Sequence, residues 1–172
     1  MKRSITPTTV ERVLREEDFI VSMTDTKGRI SYCNRIFIEF SGYSEAELLG
    51  SQHNIIRHPD MPRAVFKLLW DKIQSKSECF AYVKNMSKDG GFYWVFANVT
   101  PTFDPAGNIT GYISVRRKPK LSGVQAVTDL YATMLDAEKK AGAANAIAVS
   151  SKILADLLTE KGLSYDELIL AI

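Results

Sequence analysis

Three glycine-containing turns, each between two short runs with strand-like alternation, constrain the fold of this chain most strongly. The turns lie at residues 25–28, 88–91 and 104–108, and the flanking runs are rich in aromatic and β-branched residues. Short turns of this kind join neighbouring antiparallel strands. We therefore expect a hairpin of strands 19–24 and 29–33, followed later in the chain by a three-stranded meander over residues 80–116.

The sequence between the hairpin and the meander changes to a helical period. Apolar residues from Asn34 form one helical face that Gly42 ends, and Ser44 with Glu47 makes a capping box for a second short helix. A third helix is expected over residues 64–73. Two strands, several helices and three strands predict an α+β fold, in which helices cover one face of a five-stranded antiparallel sheet. A ligand pocket between the two layers is expected.

Both ends of the chain add helices to this core in our prediction. Thr8 with Glu11 resembles a capping box, which predicts an N-terminal cap helix within residues 1–17. Apolar stripes at 127–135 and 147–158 predict a C-terminal helical segment over residues 119–172. The sensor domain then spans residues 18–118. The stripes must pack on this domain, on each other or on a second chain, and the sequence leaves these choices open.

Composition excludes several classes of function. A net charge of +2 gives no basic surface for nucleic acid, and no apolar run reaches the length of a membrane span. The N-terminus has no signal-peptide pattern, and two cysteines outside any metal-binding spacing are typical of a reduced compartment. We expect a cytoplasmic protein without membrane insertion. No nucleotide-binding glycine motif and no nucleophile motif is present, so we expect no enzyme.

The run from His53 to Pro62 concentrates the polar chemistry of the chain. It holds two imidazoles, a guanidinium and a carboxylate, and its two prolines, at positions 59 and 62, fix the backbone on either side of Asp60. Such a stiff, irregular loop either binds a ligand or is a solvated connection between helices. Composition alone favours the second reading.

The wider pattern resembles a known family. Asn34-Arg-x-Phe37-x-x-x-Ser41-Gly42-Tyr43 is a common PAS helical signature, and the segments that follow narrow the resemblance: His53–Pro62, Trp70, Val83-Lys-Asn85 and Tyr93-Trp94-Val-x-Ala-Asn98. Together they resemble the FAD-binding PAS domain of bacterial aerotaxis and energy-taxis receptors. The resemblance covers residues 18–117, and it implies a non-covalently bound FAD whose redox state is the signal.

The resemblance also implies roles for particular residues. Arg57 and His58 would hold the pyrophosphate, and Asp60 would orient one of them or accept a hydrogen bond from ribose or adenine. Trp70 would stack on a ring system. Asn34 and Asn85 have amides that could bind the polar edge of the flavin.

Each role has a plainer alternative. Trp70 on an apolar helix face is more often a core residue, and Asn85 could satisfy a strand end. His53, a further candidate for the site, could begin a helix. Tyr93 is the last candidate; since it and Trp94 point to opposite faces of one strand, at most one of them faces the pocket.

The chain departs from the family pattern in two ways. Cys79 stands where an aromatic residue is expected at the start of the meander, which would place a thiol near the cofactor. No membrane anchor or signalling coiled coil follows, so the chain resembles stand-alone PAS proteins of split systems. Its expected partner is a membrane-bound methyl-accepting-type chemotaxis signalling protein. Pairing through the N-terminal helix would give a homodimer.

Three other readings remain. A light-oxygen-voltage photoreceptor needs a cysteine just after the glycine that ends the second short helix, and here Gly50 is followed by Ser51-Gln52-His53. A haem-binding PAS gas sensor, with His53 or His58 as axial ligand, is the main alternative. A ligand-free interaction module would purify without colour or bound nucleotide.

Overall fold

Five antiparallel strands form one sheet, in the order β2-β1-β5-β4-β3, in a computed structural model that describes residues 5–172. The strands are β1 (Ile20–Thr24), β2 (Ile30–Cys33), β3 (Cys79–Met86), β4 (Phe92–Phe103) and β5 (Ile109–Arg117). The predicted hairpin and meander are confirmed. Pairing of β1 with β5 joins them, so the intervening chain must cross one face of the sheet.

Short helices make that crossing and cover the concave face. They are α1 (Arg35–Ser41), α2 (Glu45–Leu48), a 3₁₀ helix (His53–Ile56) and α3 (Arg63–Gln74). The Asn34 side chain caps α1 by accepting from the Phe37 N–H, and the Ser44–Glu47 capping box of α2 is present. The predicted fold class, with helices on one face of a five-stranded sheet, is therefore confirmed.

The C-terminal segment folds back onto this domain. It consists of α4 (Leu121–Ala141), α5 (Ala146–Lys161) and α6 (Tyr165–Ala171). Helices α4 and α6 contact β3, and α5 contacts α3. On the outer face of the sheet Trp94 stacks on Tyr131, with ring centroids 6.4 Å apart. Gly123 lies directly against the Tyr82 ring, where a β-carbon would collide with it. None of the helices within residues 5–172 is long and apolar enough to span a membrane.

Two tyrosines of this segment satisfy backbone groups of the edge strand β3. The Tyr131 hydroxyl donates to the Tyr82 carbonyl at 2.8 Å, and the Tyr165 hydroxyl donates to the Phe80 carbonyl at 2.9 Å. An uncovered edge would present these carbonyls to other chains. The C-terminal helices thus cover both the edge and the adjoining outer face.

The predicted N-terminal cap helix is wrong. Residues 1–4 lie outside the described part, and residues 5–19 contain no helix. Thr8 and Arg12 donate backbone hydrogen bonds to the carbonyls of Gly90 and Phe92, both at 2.8 Å. A helix would have to give up these bonds to the β3–β4 hairpin. Leu14 is buried in the core. The domain boundaries at residues 18 and 118 stay a prediction.

Candidate functional site

A cavity of about 420 Å³ lies between the concave face of the sheet and the helical layer. This volume is within the usual range for small-molecule sites. Its walls combine residues from β1, β3, β4, β5, the 3₁₀ helix and α3. The lining residues used below are Ser22, His53, Arg57, Arg63, Phe66, Lys67, Trp70, Asn85, Arg116 and Ile147.

Three polar side chains form a hydrogen-bonded row at the buried end of the cavity. Arg116 Nη2 donates to Ser22 Oγ at 2.6 Å, and Ser22 Oγ lies 2.9 Å from His53 Nε2. A guanidinium can only donate, and Ser22 Oγ has no third partner within residues 5–172. We therefore assign the Ser22 hydroxyl hydrogen to His53 Nε2, which leaves the ring proton on Nδ1. Burial lowers the pKa of His53 to about 3, and the nearby Arg116 charge adds to this effect, so the imidazole is neutral.

Two side chains in the cavity wall have donors without an acceptor. Asn85 Nδ2, Arg116 Nε and Arg116 Nη1 are buried, and none of them has a hydrogen-bond partner in the described part of the chain. Buried donors are rarely left unpaired in folded proteins. Their position in the cavity wall fits a ligand that brings hydrogen-bond acceptors into the cavity.

The outer end of the cavity carries more exposed cations. Arg57, Arg63 and Lys67 line it, together with the Phe66 ring. The Arg57 guanidinium lies 4.4 Å from the centroid of that ring and donates to the Met61 carbonyl at 3.1 Å. Burial lowers the pKa of Arg57, but the group stays protonated at neutral pH. A ligand with an anionic portion would find its counter-charges here.

Trp70 and Ile147 complete this end. Trp70 lines the cavity from α3, and its ring meets Tyr112 edge to face at a centroid distance of 5.5 Å. Ile147 reaches the cavity from α5, so the C-terminal segment contributes to the wall. Trp70 therefore supplies a flat apolar surface from the same helix as Arg63 and Lys67.

Of the eight residues predicted for the site, four line the cavity: His53, Arg57, Trp70 and Asn85. All four belong to the sequence segments on which the family resemblance rests, so we expected them to meet. The 3₁₀ helix presents His53. The antiparallel backbone bridge between Arg57 and Asn85 brings the proline-containing loop against β3.

Asn34 and Tyr93 do not line the cavity. The Asn34 side chain accepts from the Val21 and Phe37 N–H groups and donates to the Phe19 carbonyl, so its amide is used in fixing β1 to α1. The geometry therefore does not support a direct contact between Asn34 and a flavin edge. Tyr93 is fully buried on the concave side, edge to face with Phe40.

His58 and Asp60 also lie outside the lining. The His58 ring is buried against Phe92, and its Nδ1 accepts from the Asp60 N–H at 3.1 Å. Burial lowers the pKa of His58, with Lys84 adding to the effect. The Asp60 carboxylate pairs with Lys84 at 2.7 Å. These residues therefore hold the loop in shape, rather than lining the cavity as the predicted phosphate contact requires.

Sequence reasoning missed Arg116, Ser22 and the cations of α3. The signal for Arg116 was the two-residue period of β5, which places Tyr112, Ser114 and Arg116 on one face. Arginine on the inward face of a strand is unusual enough to be noticed. The cations of α3, Arg63 and Lys67, follow the proline-containing loop directly and could have been grouped with Arg57.

Neither cysteine lines the cavity. Cys33 and Cys79 are both free and buried, and burial raises the pKa of Cys79 to about 12. Cys79 packs with Ile73 and Tyr112, which both line the cavity, so its thiol lies behind the cavity wall. A thiol near the cofactor stays a prediction, with Cys79 one residue removed from the cavity surface.

Comparison with protein families gives a match at the level of the domain. A family model described as the PAS fold matches residues 8–118. The match includes the whole sheet, the helical layer and the extended N-terminal segment. It ends just before α4.

Individual relatives are sensory and regulatory proteins. The aerotaxis receptor of Escherichia coli (strain K12) is 36% identical over 149 residues, which are 87% of this chain and 27% of the receptor. The nitrogen fixation regulatory protein of Klebsiella pneumoniae is 26% identical over 110 residues, 64% of this chain and 22% of that protein. The chain thus spans about a quarter of the length of these curated relatives.

Solved structures give the same fold. The dark structure of the blue-light photoreceptor Aureochrome1 LOV superposes with a TM-score of 0.55 at 26% sequence identity, covering 68% of this chain and 84% of that one. A light-oxygen-voltage domain studied with a flavin analogue superposes with a TM-score of 0.56 at 21% identity, covering 64% of this chain and 83% of that one. At 21% identity, the second similarity supports the fold alone.

Proposed function

Because the chain belongs to the PAS-fold family, we propose that it is a sensor that binds FAD non-covalently in the cavity and signals through the redox state of that flavin. The observation that carries this proposal is the combination of groups in the cavity wall. The wall offers buried donors without an acceptor beside apolar residues, and it offers three more exposed cations beside flat rings. A flavin nucleotide has the matching parts, a ring with a polar edge and a phosphate-bearing tail.

FAD is preferred over FMN because of the number of cations at the outer end. Arg57, Arg63 and Lys67 suit a pyrophosphate better than a single phosphate, and the Trp70 ring is available for stacking. The similarity to an aerotaxis receptor supports a redox or oxygen sensor. On this proposal the protein is a signalling domain and not an enzyme.

The first experiment identifies the cofactor. The purified protein should be yellow, and heat-released cofactor should run with FAD on a column. Arg57→Ala should lower the occupancy strongly, because a lost hydrogen bond between charged groups in a partly buried site costs roughly 1.5–3 kcal/mol. Arg35→Ala is the matched control, since Arg35 is exposed and forms its ion pair with Glu39 on α1. Equal occupancy in the two variants would argue against this site.

The absorption spectrum tests the competing cofactors. Haem would give a Soret band, and a light-oxygen-voltage photoreceptor would form a cysteinyl adduct under blue light. The cavity disfavours both: His53 Nε2 is bonded to Ser22, and neither His58 nor a cysteine lines the wall. We expect a flavin spectrum that dithionite bleaches and that blue light does not convert to an adduct. Changing Cys33 and Cys79 to Ser together should leave this behaviour intact.

The partner is a separate proposal, which depends on family likeness. We propose that the C-terminal helices carry the redox signal to a membrane-bound methyl-accepting-type chemotaxis protein, and that the domain works in the cytoplasm. Helix α5 is suited to this role because Ile147 reaches the cavity wall. Capture of such a receptor from membranes should differ between oxidised and reduced protein. Equal capture, or none, would contradict this route, and light scattering would show whether the chain is a homodimer.

A further inference from the structure

Arg116 is a buried cation without a counter-charge. It is 2% exposed, lies in the cavity wall and donates only to Ser22 Oγ. Its Nε and Nη1 groups have no acceptor, and no carboxylate forms an ion pair with it anywhere in residues 5–172. The guanidinium carbon lies 4.4 Å from the centroid of the Phe37 ring. The electron-rich face of this ring gives the cation only a weak, uncharged contact.

Such an arrangement is costly without a further partner. A buried charge that lacks both an opposite charge and a full set of hydrogen bonds strongly destabilises a fold. The titratable groups that face Arg116 are His53 and Tyr93, and neither carries a negative charge: burial keeps His53 neutral and raises the pKa of Tyr93. Burial lowers the pKa of Arg116 to about 10, so it remains protonated at neutral pH. Because Arg116 lines the cavity, a ligand in the cavity could supply the missing negative charge and acceptors.

We propose that Arg116 is the counter-charge for the reduced flavin and thereby sets the reduction potential of the bound cofactor. This proposal rests on the proposed function, because it requires a flavin in the cavity. When a low-potential electron donor delivers two electrons and one proton enters, the ring gains one negative charge and Arg116 keeps its proton. A cation in a site of low dielectric constant stabilises the added charge more than the neutral oxidised ring. Reduced flavin should therefore bind more tightly than oxidised flavin.

The test compares two adjacent arginines. Arg116→Met removes the buried charge, and Arg117→Met removes an exposed charge on the opposite face of the same strand. Midpoint potentials are measured in a spectroelectrochemical cell with viologen mediators, on protein loaded with FAD. Arg116→Met should lower the affinity ratio of reduced to oxidised flavin at least tenfold, which is about 30 mV for a two-electron couple. Arg117→Met should keep the wild-type potential. Equal potentials in the two variants overturn the proposal.

If Arg116→Met does not fold or does not retain flavin, Arg116→Lys is measured in its place. A buried lysine loses its proton far more readily than arginine. The potential of Arg116→Lys should therefore fall more steeply with rising pH than that of wild type or of Arg117→Lys. Parallel curves for the three proteins would overturn the proposal.

The outcomes separate this inference from the proposed function. Wild-type protein that binds no flavin contradicts the proposed function itself. If the wild-type protein binds FAD but Arg116→Met and Arg117→Met have equal midpoint potentials, only the role of Arg116 is contradicted. A lowered potential in Arg116→Met, with flavin still bound, supports both.

Discussion

Single buried polar residues determine what this cavity can hold. Arg116, Ser22 and His53 are linked in one row, so each fixes the protonation or orientation of the next. The neutral state of His53 is a consequence of burial beside a cation, and it could not be read from the sequence. Such a residue ties the stability of the fold to pH.

We predict that the protein loses stability as the pH falls below about 6.5, the ordinary pKa of histidine. The pKa of His53 is about 3 in the folded protein, so between these values only the unfolded chain takes up the proton. The contribution is fully present above pH 6.5 and should reach a loss of about 1.4 kcal/mol at pH 5.5. Denaturant unfolding at several pH values measures it.

Variants assign this effect to particular histidines. The chain has two, and burial lowers the pKa of His58 as well. His53→Gln should reduce the pH dependence while keeping an acceptor for Ser22, and adding His58→Gln should remove most of the rest. A double variant with the slope of wild type would show that neither imidazole is protonated on unfolding.

At the scale of elements, one carboxylate connects the cavity helix to the C-terminal segment. Glu138 on α4 is buried, and its Oε1 accepts from the backbone N–H groups of Arg63 and Ala64 at 2.8 and 3.3 Å. The same oxygen accepts from Ser150 Oγ on α5 at 2.7 Å. Glu138 thus supplies the capping acceptor that Pro62, the N-cap residue of α3, lacks, although it is distant in sequence.

We predict that Glu138→Ala lowers the free energy of unfolding by about 1–3 kcal/mol, because it leaves buried N–H groups without their charged acceptor. Glu138→Gln keeps an acceptor oxygen and should lose less. Glu160→Ala, at an exposed position on α5, is the matched control. Denaturant titrations give the free energies. A loss in Glu138→Ala no larger than in the control would show that this link contributes little.

For the whole molecule, the outer face of the sheet depends on the C-terminal helices. Without them, the aromatic side chains Tyr82, Trp94 and Phe96 lose their cover, and the β3 carbonyls lose their tyrosine partners. Large exposed apolar patches and open edge strands promote association. The three helices therefore do more than extend the domain.

We predict that a chain ending at Lys120 self-associates in solution more strongly than the full chain, in which the C-terminal helices cover the sheet. Static light scattering over a range of concentrations measures this. In the shortened chain, changing Trp94 and Phe96 to threonine should reduce the association, because threonine suits a solvated strand. A shortened chain that stays monomeric at high concentration would contradict the prediction.

What the sequence determined by itself was local. Turn residues, periodicity and capping patterns predicted the strands and the helices of the PAS core, because these depend on neighbours within a few residues. The same capping pattern failed at Thr8 and Glu11, where backbone bonds to a distant hairpin were the alternative. The family resemblance also predicted four residues that line the cavity, namely His53, Arg57, Trp70 and Asn85.

Tertiary structure alone decided the rest. Asn34 and Tyr93 were predicted to face the ligand, but the Asn34 amide fixes β1 to α1, and Tyr93 packs edge to face with Phe40. Arg116 became a site residue because β5 pairs between β1 and β4, which buries its inward face. The C-terminal helices pack on the sheet because the edge strand β3 offers both apolar rings and free carbonyls. Burial and long-range pairing involve residues far apart in the chain, so no local pattern contains them.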